Sequence, residues 1–357
     1  MRVLQVTTTS SRRGAEMFAH QLGRALTSRG HDVRTVAMEP ASSTVALPFE
    51  HLEFRRRDPR AAMELARRSR NSDVLVAHGG ATLGFTSLVS AIARRPFVYR
   101  NIGDPAHWGR ARGAKLRIGV PLRRAAHVVA LYDAAARYMC DRYRLPPSRV
   151  SVAGNAVEEI EFPRCTEDTR SIARQAFGCS SDQVILGFLG NLSSEKRPDW
   201  AISTARGIQG SRLLMAGVGP MRSVLEHRAQ AVDARTRPET IKLVGPVPNP
   251  AVFLSALDVL LIPSATEGIP GVLLEAALVG VPVVATAVGG VPEVMDELGA
   301  GVTVPPDDLG GFIDATQSVV ANARSFRVPR EVVSAHHGMT ATTNKWESVL
   351  GHVVHPS

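Results

Sequence analysis

Two glutamates late in the chain are spaced so that one small polar ligand could contact both. Glu267 and Glu275 are separated by seven residues, and a glycine- and proline-containing turn lies between them. Carboxylates accept strong hydrogen bonds from sugar hydroxyls. A helix that begins between the two acids would add free backbone N–H groups, which suit a diphosphate. Residues of these types at this spacing predict a site for a phosphorylated, hydroxyl-rich ligand.

The elements around this pair are readable from local patterns. The apolar run Val259–Ile262 is typical of a strand buried on both faces of a parallel sheet. Pro270 or Gly271 opens a helix, and Gly280 ends it. Val281–Thr286 is predicted to be the next strand, and a Gly-Gly pair follows it. The result is a strand–loop–helix–strand unit whose loops lie where parallel sheets bind ligands.

This stretch resembles the donor-binding motif of family 4 of the retaining glycosyltransferases. That motif is Glu, seven residues, Glu, with Gly-aromatic-Pro after the first Glu; here Ile269 stands where Phe is usual. The resemblance extends over nearly the whole chain and is strongest from 187 to 304. It implies the GT-B fold, an α/β architecture of two facing Rossmann-like domains with a deep interdomain cleft. The second domain would bind a nucleotide-diphosphate sugar, and the first would present the acceptor.

The resemblance also implies roles for single residues. Lys196 matches the lysine that grips the donor diphosphate, while Asn191 replaces a second cation, an arginine, for which Arg197 or Arg13 could substitute. Glu267 would hold hydroxyls of the transferred sugar and Glu275 the ribose diol. Donor binding is thus assigned to Gly14, Gly190, Asn191, Lys196, Arg197, Gly217, Glu267, Gly268, Ile269, Pro270, Gly271, Val272 and Glu275, and catalysis to Glu267, Lys196 and Asn101.

The first half of the chain begins with a strand, a polar loop and a helix but lacks the G-x-G-x-x-G fingerprint. A dinucleotide-binding first domain, and with it a nicotinamide dehydrogenase, is therefore disfavoured. Gly14 lies in a segment similar to the family's G-G-A-E, a loop that reaches toward the donor phosphate. Asn101 stands where many family members have a histidine facing the reacting sugar. Either the Asn101 amide takes that role or His107 does.

Length and pattern predict two domains, because 357 residues exceed what one core usually holds. The predicted division is an acceptor-binding domain over 1–160 and a nucleotide-sugar-binding domain over 161–335. A C-terminal helix over 336–357 is expected to pack back toward the first domain, as in GT-B proteins.

Charge is unevenly distributed along the chain. Residues 1–165 hold 27 Lys and Arg against 14 Asp and Glu, whereas 166–357 hold 15 against 19. This basic half either contacts an anionic membrane surface or an anionic acceptor, or is a solvated, arginine-rich face. Three scattered cysteines and no apolar run of membrane-spanning length predict a reduced, cytoplasmic protein, with the inner membrane face as a peripheral alternative. No nucleic-acid-binding or metal-binding motif is recognisable.

The function expected from the resemblance is transfer of a hexosyl group to an acceptor hydroxyl with retention of anomeric configuration. Neither a metal nor a cofactor is expected, and a UDP- or GDP-type donor is favoured. The acceptor is left open and includes anionic and lipid-linked molecules. Two alternatives stay open, a sugar-nucleotide hydrolase or epimerase on the same fold and a catalytically silent nucleotide-sugar-binding subunit.

Overall fold

The computed structural model describes residues 1–41, 46–109, 113–233 and 240–355. The strands are β1 Arg2–Thr9, β2 Asp32–Glu39, β3 Glu50–His51, β4 Val74–His78, β5 Phe97–Arg100, β6 His127–Ala130, β7 Val150–Val152, β8 Val184–Leu189, β9 Ser211–Ala216, β10 Ile241–Gly245, β11 Val259–Ile262, β12 Val283–Thr286 and β13 Gly301–Val304. The α-helices are α1 Gly14–Ser28, α2 Pro59–Ser69, α3 Gly80–Ala93, α4 Pro105–Trp108, α5 Ala114–Arg124, α6 Asp133–Tyr143, α7 Glu167–Phe177, α8 Pro198–Gly207, α9 Arg222–Asp233, α10 Pro250–Ser255, α11 Gly271–Val279, α12 Val291–Leu298, α13 Leu309–Ala321, α14 Arg330–His337 and α15 Met339–Val354.

The chain divides into two compact units. Unit 1 is Met1–Ala156 together with His337–Ser357, and unit 2 is Val157–His336. Within the described residues, unit 1 contains a sheet of order β3-β2-β1-β4-β5-β6-β7 and unit 2 a sheet of order β10-β9-β8-β11-β12-β13. All the strand pairs in both sheets are parallel. Each unit is therefore Rossmann-like, with helical crossovers between parallel strands.

The central strands are buried on both faces because they are apolar at nearly every position. Every residue of β4, β11 and β12 is buried, which confirms the predicted parallel-sheet strands in these places. The predicted helix is confirmed as well: it begins at Gly271 and is capped by Gly280 in the left-handed region. The following strand starts at Val283 and not at Val281, because the Val281 N–H bonds back to the Ala276 carbonyl and so belongs to the helix cap.

Both sheets reverse their strand order once. In unit 1 the reversal lies between β1 and β4, and in unit 2 it lies between β8 and β11. The loops that leave adjacent strands at such a switch point run in opposite directions, and a crevice opens at the carboxyl ends of the strands. In unit 2 these loops are the segments that follow Leu189 and Ile262, which contain most of the residues predicted to bind the donor.

The C-terminal helix α15 is part of unit 1, where it packs against α1. Its Trp346 has no exposed surface, and its ring centroid lies 6.4 Å from that of Phe18. Of the helices in the described ranges, none has the length and apolar character that crossing a bilayer demands.

Candidate functional site

Two hydrogen bonds join the loops after β8 and β11, one between backbone groups and one between side chains. The Ala265 N–H donates to the Glu195 carbonyl at 2.7 Å. Lys196, one residue further, donates from Nζ to Glu267 Oε1 at 2.5 Å. Two of the predicted catalytic residues, 71 positions apart in sequence, therefore form an ion pair at the switch point of unit 2.

The Glu267 carboxylate is held from two sides. The Ser264 hydroxyl donates to the same oxygen, Oε1, at 2.7 Å. The Thr286 hydroxyl in turn donates to the Ser264 carbonyl at 2.5 Å. Only 8% of the Glu267 side chain is exposed, against 31% of that of Lys196. The carboxylate is therefore fixed in the interior of the loop, whereas part of the lysine side chain faces solvent.

The Gly289–Gly290 turn packs against the backbone of the loop that contains Glu267. Gly289 has a φ of +57°, and a Cβ on it would lie 1.9 Å from the Glu267 carbonyl oxygen. The next amide, of Gly290, donates to the Gly268 carbonyl at 2.8 Å. A side chain at Gly289 would push the Glu267 loop out of place, since this oxygen belongs to the backbone. Sequence reasoning found the Gly-Gly turn but not its contact with Glu267.

Helix α11 begins directly after this loop. Its N-cap, Pro270, provides no side-chain hydrogen bond, and the Leu273 N–H donates to the Pro270 carbonyl at 3.2 Å, so in the described residues the N–H groups of Gly271 and Val272 remain as donors. Gly268, Ile269 and Pro270 are buried, whereas Gly271 and Val272 are half-buried. The first turn of α11 thus offers backbone N–H groups and the positive end of the helix dipole beside Glu267.

Glu275 folds back over the start of its own helix. A Cβ on Gly271 would lie 3.5 Å from Glu275 Oε1, so the carboxylate lies beside the first residue of the helix although Glu275 itself is one turn further along. Burial raises the pKa of Glu275 to about 7, and the Glu161 carboxylate contributes to the rise. Within the described residues, no group donates a hydrogen bond to this carboxylate. Glu275 is therefore half-protonated near neutral pH and free to accept hydrogen bonds.

The glycine loops after β8 and β9 run side by side. Gly217 has a φ of +139°, and a Cβ on it would lie 1.8 Å from the Gly190 carbonyl oxygen. The Leu192 N–H donates to the Val218 carbonyl at 2.8 Å. This close approach requires glycine at 217, and it brings the predicted residues Gly190 and Gly217 together. The Asn191 side chain between them is exposed.

Arg197 is engaged elsewhere in unit 2. Its guanidinium donates to the Pro306 carbonyl and, at 3.1 Å, to Asp307, and it stacks over the Trp200 ring at 5.0 Å. Its own φ of +45° turns the backbone at this point. In the part of the chain that the structure describes, the guanidinium of Arg197 therefore contacts Pro306, Asp307 and Trp200 and is not hydrogen-bonded to Glu267.

The other predicted residues lie in unit 1. Gly14 is the first residue of α1, and a Cβ there would meet no atom within 4 Å. Asn101 is buried at the carboxyl end of β5, where its side chain interacts with the Tyr99 hydroxyl and its Oδ1 has no hydrogen-bond partner in the described residues. His107, the alternative to Asn101, is exposed on the short helix α4 and stacks edge-on against Trp108.

Two residues of the site were not recognised from sequence as part of it. Ser264 lies just after the predicted strand Val259–Ile262 and Thr286 is the last residue of the next predicted strand, and the sequence assigns neither a role in the site. The available signal was their place at the carboxyl ends of β11 and β12, the edge at which α/β sheets hold ligands. Small hydroxyl residues at such strand ends are candidates for orienting a nearby carboxylate.

Two known protein families match this chain, one in each half of the sequence. Residues 12–159 match the family described as Glycosyltransferase Family 4, and residues 183–322 match the family described as Glycosyl transferases group 1. The chain belongs to the family 4, group 1 glycosyltransferases. The Lys196–Glu267 pair and the start of α11 both lie inside the second matched range.

Individual relatives are similar over part of their length. A D-inositol 3-phosphate glycosyltransferase from Kribbella flavida is 29% identical over 211 residues, which cover 56% of this chain and 49% of the relative. A 2-deoxystreptamine N-acetyl-D-glucosaminyltransferase from Streptomyces fradiae is 29% identical over 217 residues, 58% of this chain and 50% of that protein. The chain thus spans about half the length of these curated relatives.

A solved structure supports the architecture. The crystal structure of Anabaena HepE in complex with UDP matches with a TM-score of 0.84 at 17% identity, covering 98% of this chain and 100% of that one. At this identity the likeness concerns the fold. The predicted GT-B fold, with two Rossmann-like units in one chain, is confirmed.

Proposed function

We propose that this protein transfers a hexosyl group from a nucleotide-diphosphate sugar to an acceptor hydroxyl, with retention of configuration and without a metal ion. The observation that carries the proposal is the Lys196–Glu267 pair, held by Ser264 beside the first turn of α11. One cation, one oriented carboxylate and a helix N-terminus are the groups that a diphosphate joined to a sugar needs. Family membership and the UDP complex of HepE point to the same class of donor.

In this proposal each group has a separate task. The backbone N–H groups of Gly271 and Val272 and the Lys196 ammonium bind the diphosphate and stabilise the charge that develops on it as it leaves. Glu267 uses its second oxygen, Oε2, to accept hydrogen bonds from hydroxyls of the transferred sugar, because Oε1 already accepts from Lys196 and Ser264. Glu275 accepts hydrogen bonds from the ribose diol.

Retention follows if the acceptor attacks the anomeric carbon on the face from which the nucleotide leaves. The acceptor oxygen forms the new glycosidic bond, the bond to the diphosphate oxygen breaks, and that oxygen takes the acceptor's proton. No protein nucleophile is needed, and the contribution of the chain is positioning and electrostatic stabilisation. Of the residues in unit 1, Asn101, with His107 as its alternative, is proposed to take part in catalysis.

The test is a thermal-shift screen of UDP-, GDP-, ADP- and TDP-sugars, followed by turnover with the donor that binds. A donor of the UDP or GDP type is expected to raise the melting temperature, because a ligand that binds only the native state stabilises it. Lys196→Ala should lose most of this shift, whereas the exposed Glu195→Gln should keep it. Transfer should proceed in EDTA, and the product should have the anomeric configuration of the donor.

D-inositol 3-phosphate and 2-deoxystreptamine, which the names of the relatives give, are the first acceptors to try. Release of free sugar from the donor alone would favour the hydrolase. Donor binding without turnover on any acceptor would favour the silent subunit. Absence of any shift with all the donors would contradict the proposed function.

A further inference from the structure

Three residues other than glycine have a positive φ in the described part of the chain, and all three are arginines. They are Arg94, Arg144 and Arg197, with φ values of +53°, +54° and +45°. L-residues adopt this left-handed conformation at a cost in free energy, because the Cβ atom crowds a carbonyl oxygen. An arginine at such a position therefore carries a cost that glycine would avoid.

Two of these arginines end helices of unit 1. Arg94 is the C-cap of α3 and Arg144 is the C-cap of α6, positions at which the left-handed conformation is common. Both residues are exposed. Within the described residues, neither side chain forms a hydrogen bond or an ion pair. Their conformation ends a helix and involves no contact of the guanidinium.

Arg197 of unit 2 lies in a different setting. It follows the 3₁₀ turn Ser194–Lys196 and precedes the first residue of α8, Pro198. A residue before proline favours extended backbone. The left-handed conformation of Arg197 therefore departs from local preference twice, once because the residue has a Cβ and once because proline follows it.

The Arg197 side chain joins the loop after β8 to the loop after β13. Its guanidinium donates to the Pro306 carbonyl and, at 3.1 Å, to Asp307, and it lies 5.0 Å from the centre of the Trp200 ring. Asp307 is 88% exposed, so the Pro306 carbonyl and the Trp200 ring are the firmer partners. In the sheet, β11 and β12 separate β8 from β13. The contacts of this side chain thus offset the cost of the backbone conformation and fix the point at which the chain turns.

Lys196 lies directly before this fixed point. Its N–H donates to the Ser193 carbonyl at 3.0 Å, and the Arg197 N–H donates to the Ser194 carbonyl at 3.3 Å. The Lys196 side chain leaves the turn toward Glu267, to which its Nζ donates at 2.5 Å. The turn that carries the lysine is therefore held by its own hydrogen bonds on one side and by Arg197 on the other.

We propose that Arg197 is a positioning residue, whose side-chain contacts maintain the left-handed turn that directs the Lys196 ammonium to Glu267 and to the donor diphosphate. The part that concerns the diphosphate rests on the proposed function. In the competing role, Arg197 itself binds the diphosphate as a second cation. That role requires the guanidinium to leave Pro306 and Asp307, with which it is hydrogen-bonded.

A double-mutant cycle separates the two roles. UDP and GDP are titrated by calorimetry into the parent chain, Lys196→Ala, Arg197→Gly and K196A/R197G, and the nucleotide that binds the parent chain more tightly is compared. Lys196→Ala should raise its Kd about 10- to 100-fold, as expected for a hydrogen bond between charged groups. Arg197→Gly should raise the Kd about tenfold. In the Lys196→Ala background it should have no further effect, because it acts through the lysine.

Variants of the same residue type serve as controls. Arg144→Gly makes the same substitution at the same backbone conformation but removes no side-chain hydrogen bond, so the Kd should not change. Arg197→Lys can still donate to the Pro306 carbonyl but lacks the planar guanidinium, so its Kd should lie between those of the parent chain and Arg197→Gly. The melting temperature of Arg197→Gly should stay close to that of the parent chain, since glycine adopts a positive φ without strain.

Two results of the cycle would overturn the proposal. Losses of affinity that add in K196A/R197G would show that the Arg197 guanidinium contacts the nucleotide itself. An Arg197→Gly variant that binds like the parent chain would show that the side-chain contacts are not needed to position Lys196.

A second measurement needs no nucleotide. Lysine side chains are acetylated briefly with acetic anhydride, and peptide mass spectrometry gives the rate at each lysine. Lys196 should react about two- to fivefold faster in Arg197→Gly than in the parent chain, because an ammonium released from its ion pair is more available to the reagent. The exposed Lys115 and Lys345 should react at unchanged rates.

The labelling result decides the inference separately from the proposed function. An unchanged rate at Lys196 in Arg197→Gly would overturn the positioning role. A parent chain that binds neither UDP nor GDP would contradict the proposed function, and the labelling rate at Lys196 would still support or overturn the role of Arg197.

Discussion

The switch points of the two sheets have the same topology and opposite character. In unit 1 Gln5 of β1 and His78 of the paired strand β4 are in contact, with their Oε1 and Nε2 atoms 2.8 Å apart. Phe18 and Trp346 pack over that histidine. In unit 2 the loops after the paired strands β8 and β11 hold the partly exposed Lys196 and its partner Glu267. The same strand order thus produces a packed edge in one unit and a partly exposed ion pair in the other.

The polar groups at the two switch points differ in whether they have hydrogen-bond or ion-pair partners. In the described residues of unit 1, His78 Nδ1, Arg100 Nε and Nη1 and Trp346 Nε1 are buried without a partner. Burial lowers the pKa of His78 well below its usual value, and burial lowers the pKa of Arg100 to about 9. In unit 2 Lys196 and Glu267 pair with each other, and the lysine side chain stays partly exposed. Topology therefore offers a crevice, but the side chains that fill it decide whether a ligand can enter.

The largest effect should come from removing a side chain from the packed switch point of unit 1. Trp346→Ala removes a side chain with no exposed surface that covers Phe18 and His78, and we expect a loss of about 3–5 kcal/mol in the free energy of unfolding. Urea denaturation followed by circular dichroism measures it. Trp108→Ala, at a site that is 52% exposed, is the matched control and should change little. A loss of less than about 1 kcal/mol for Trp346→Ala would mean that this edge is not a packed core.

Removing the Glu267 charge at the switch point of unit 2 should affect catalysis and leave the fold intact. Glu267→Gln removes the charge opposite Lys196 but can still accept from Ser264, so kcat/KM for transfer should fall about 10²–10³-fold. The free energy of unfolding should change by about 1 kcal/mol or less, because the Lys196 side chain reaches water. Steady-state kinetics and urea denaturation separate these effects. The exposed neighbour variant Glu195→Gln should be silent in both, and turnover near the parent rate in Glu267→Gln would remove the assigned role.

Donor affinity should depend on the protonation of Glu275. Its pKa of about 7 means that about one-tenth of the side chains are ionised at pH 6. In the proposed function Glu275 accepts from the ribose diol, and the ionised carboxylate accepts more strongly than the protonated acid, so the donor Kd should be up to about tenfold higher at pH 6 than at pH 8. Titration calorimetry across this range measures it, and Glu275→Gln should abolish the dependence.

Glu161 offers a way to sharpen this measurement. Its carboxylate contributes to the raised pKa of Glu275, after burial, so Glu161→Gln should move the midpoint of the affinity curve toward lower pH. A midpoint that stays in place would show that the two carboxylates do not interact. A donor affinity that is flat with pH in the parent chain would contradict the role of Glu275 itself.

The packed and the partly exposed switch points should also differ in two opposite proton linkages. His78 has a lowered pKa in the folded protein, so the stability it contributes is present above 6.5, the ordinary histidine pKa, and is lost as pH falls below that value. Glu275 has a raised pKa in the folded protein, so its contribution is present below 4.5, the ordinary glutamate pKa, and is lost as pH rises through about 7. Unfolding free energies of His78→Gln and Glu275→Gln, each subtracted from the parent values at several pH values, should therefore slope in opposite directions. Parallel slopes would contradict the difference between the two edges.

Much of the unit 2 site could be predicted because its signals are local. An apolar run without alternation predicts a buried strand, and a proline before and a glycine after an apolar segment predict the limits of α11. Both predictions are confirmed at Val259–Ile262 and Gly271–Val279. The contacts of Ser264, Thr286 and Gly289 were not predicted, because each depends on which strands are neighbours in the sheet.

The sequence by itself determined the two-domain α/β architecture, the family and the limits of the central helix, since periodicity and turn residues act over a few positions. Only the tertiary structure decided that Lys196 meets Glu267 across 71 residues, that Arg197 turns to Pro306 and Asp307, and that His78 is buried under Trp346 from the far end of the chain. These contacts depend on strand order and on the docking of α15 against α1, and no local pattern encodes either. Side chains that are distant in sequence acquire their chemistry only when the sheet brings their strands together.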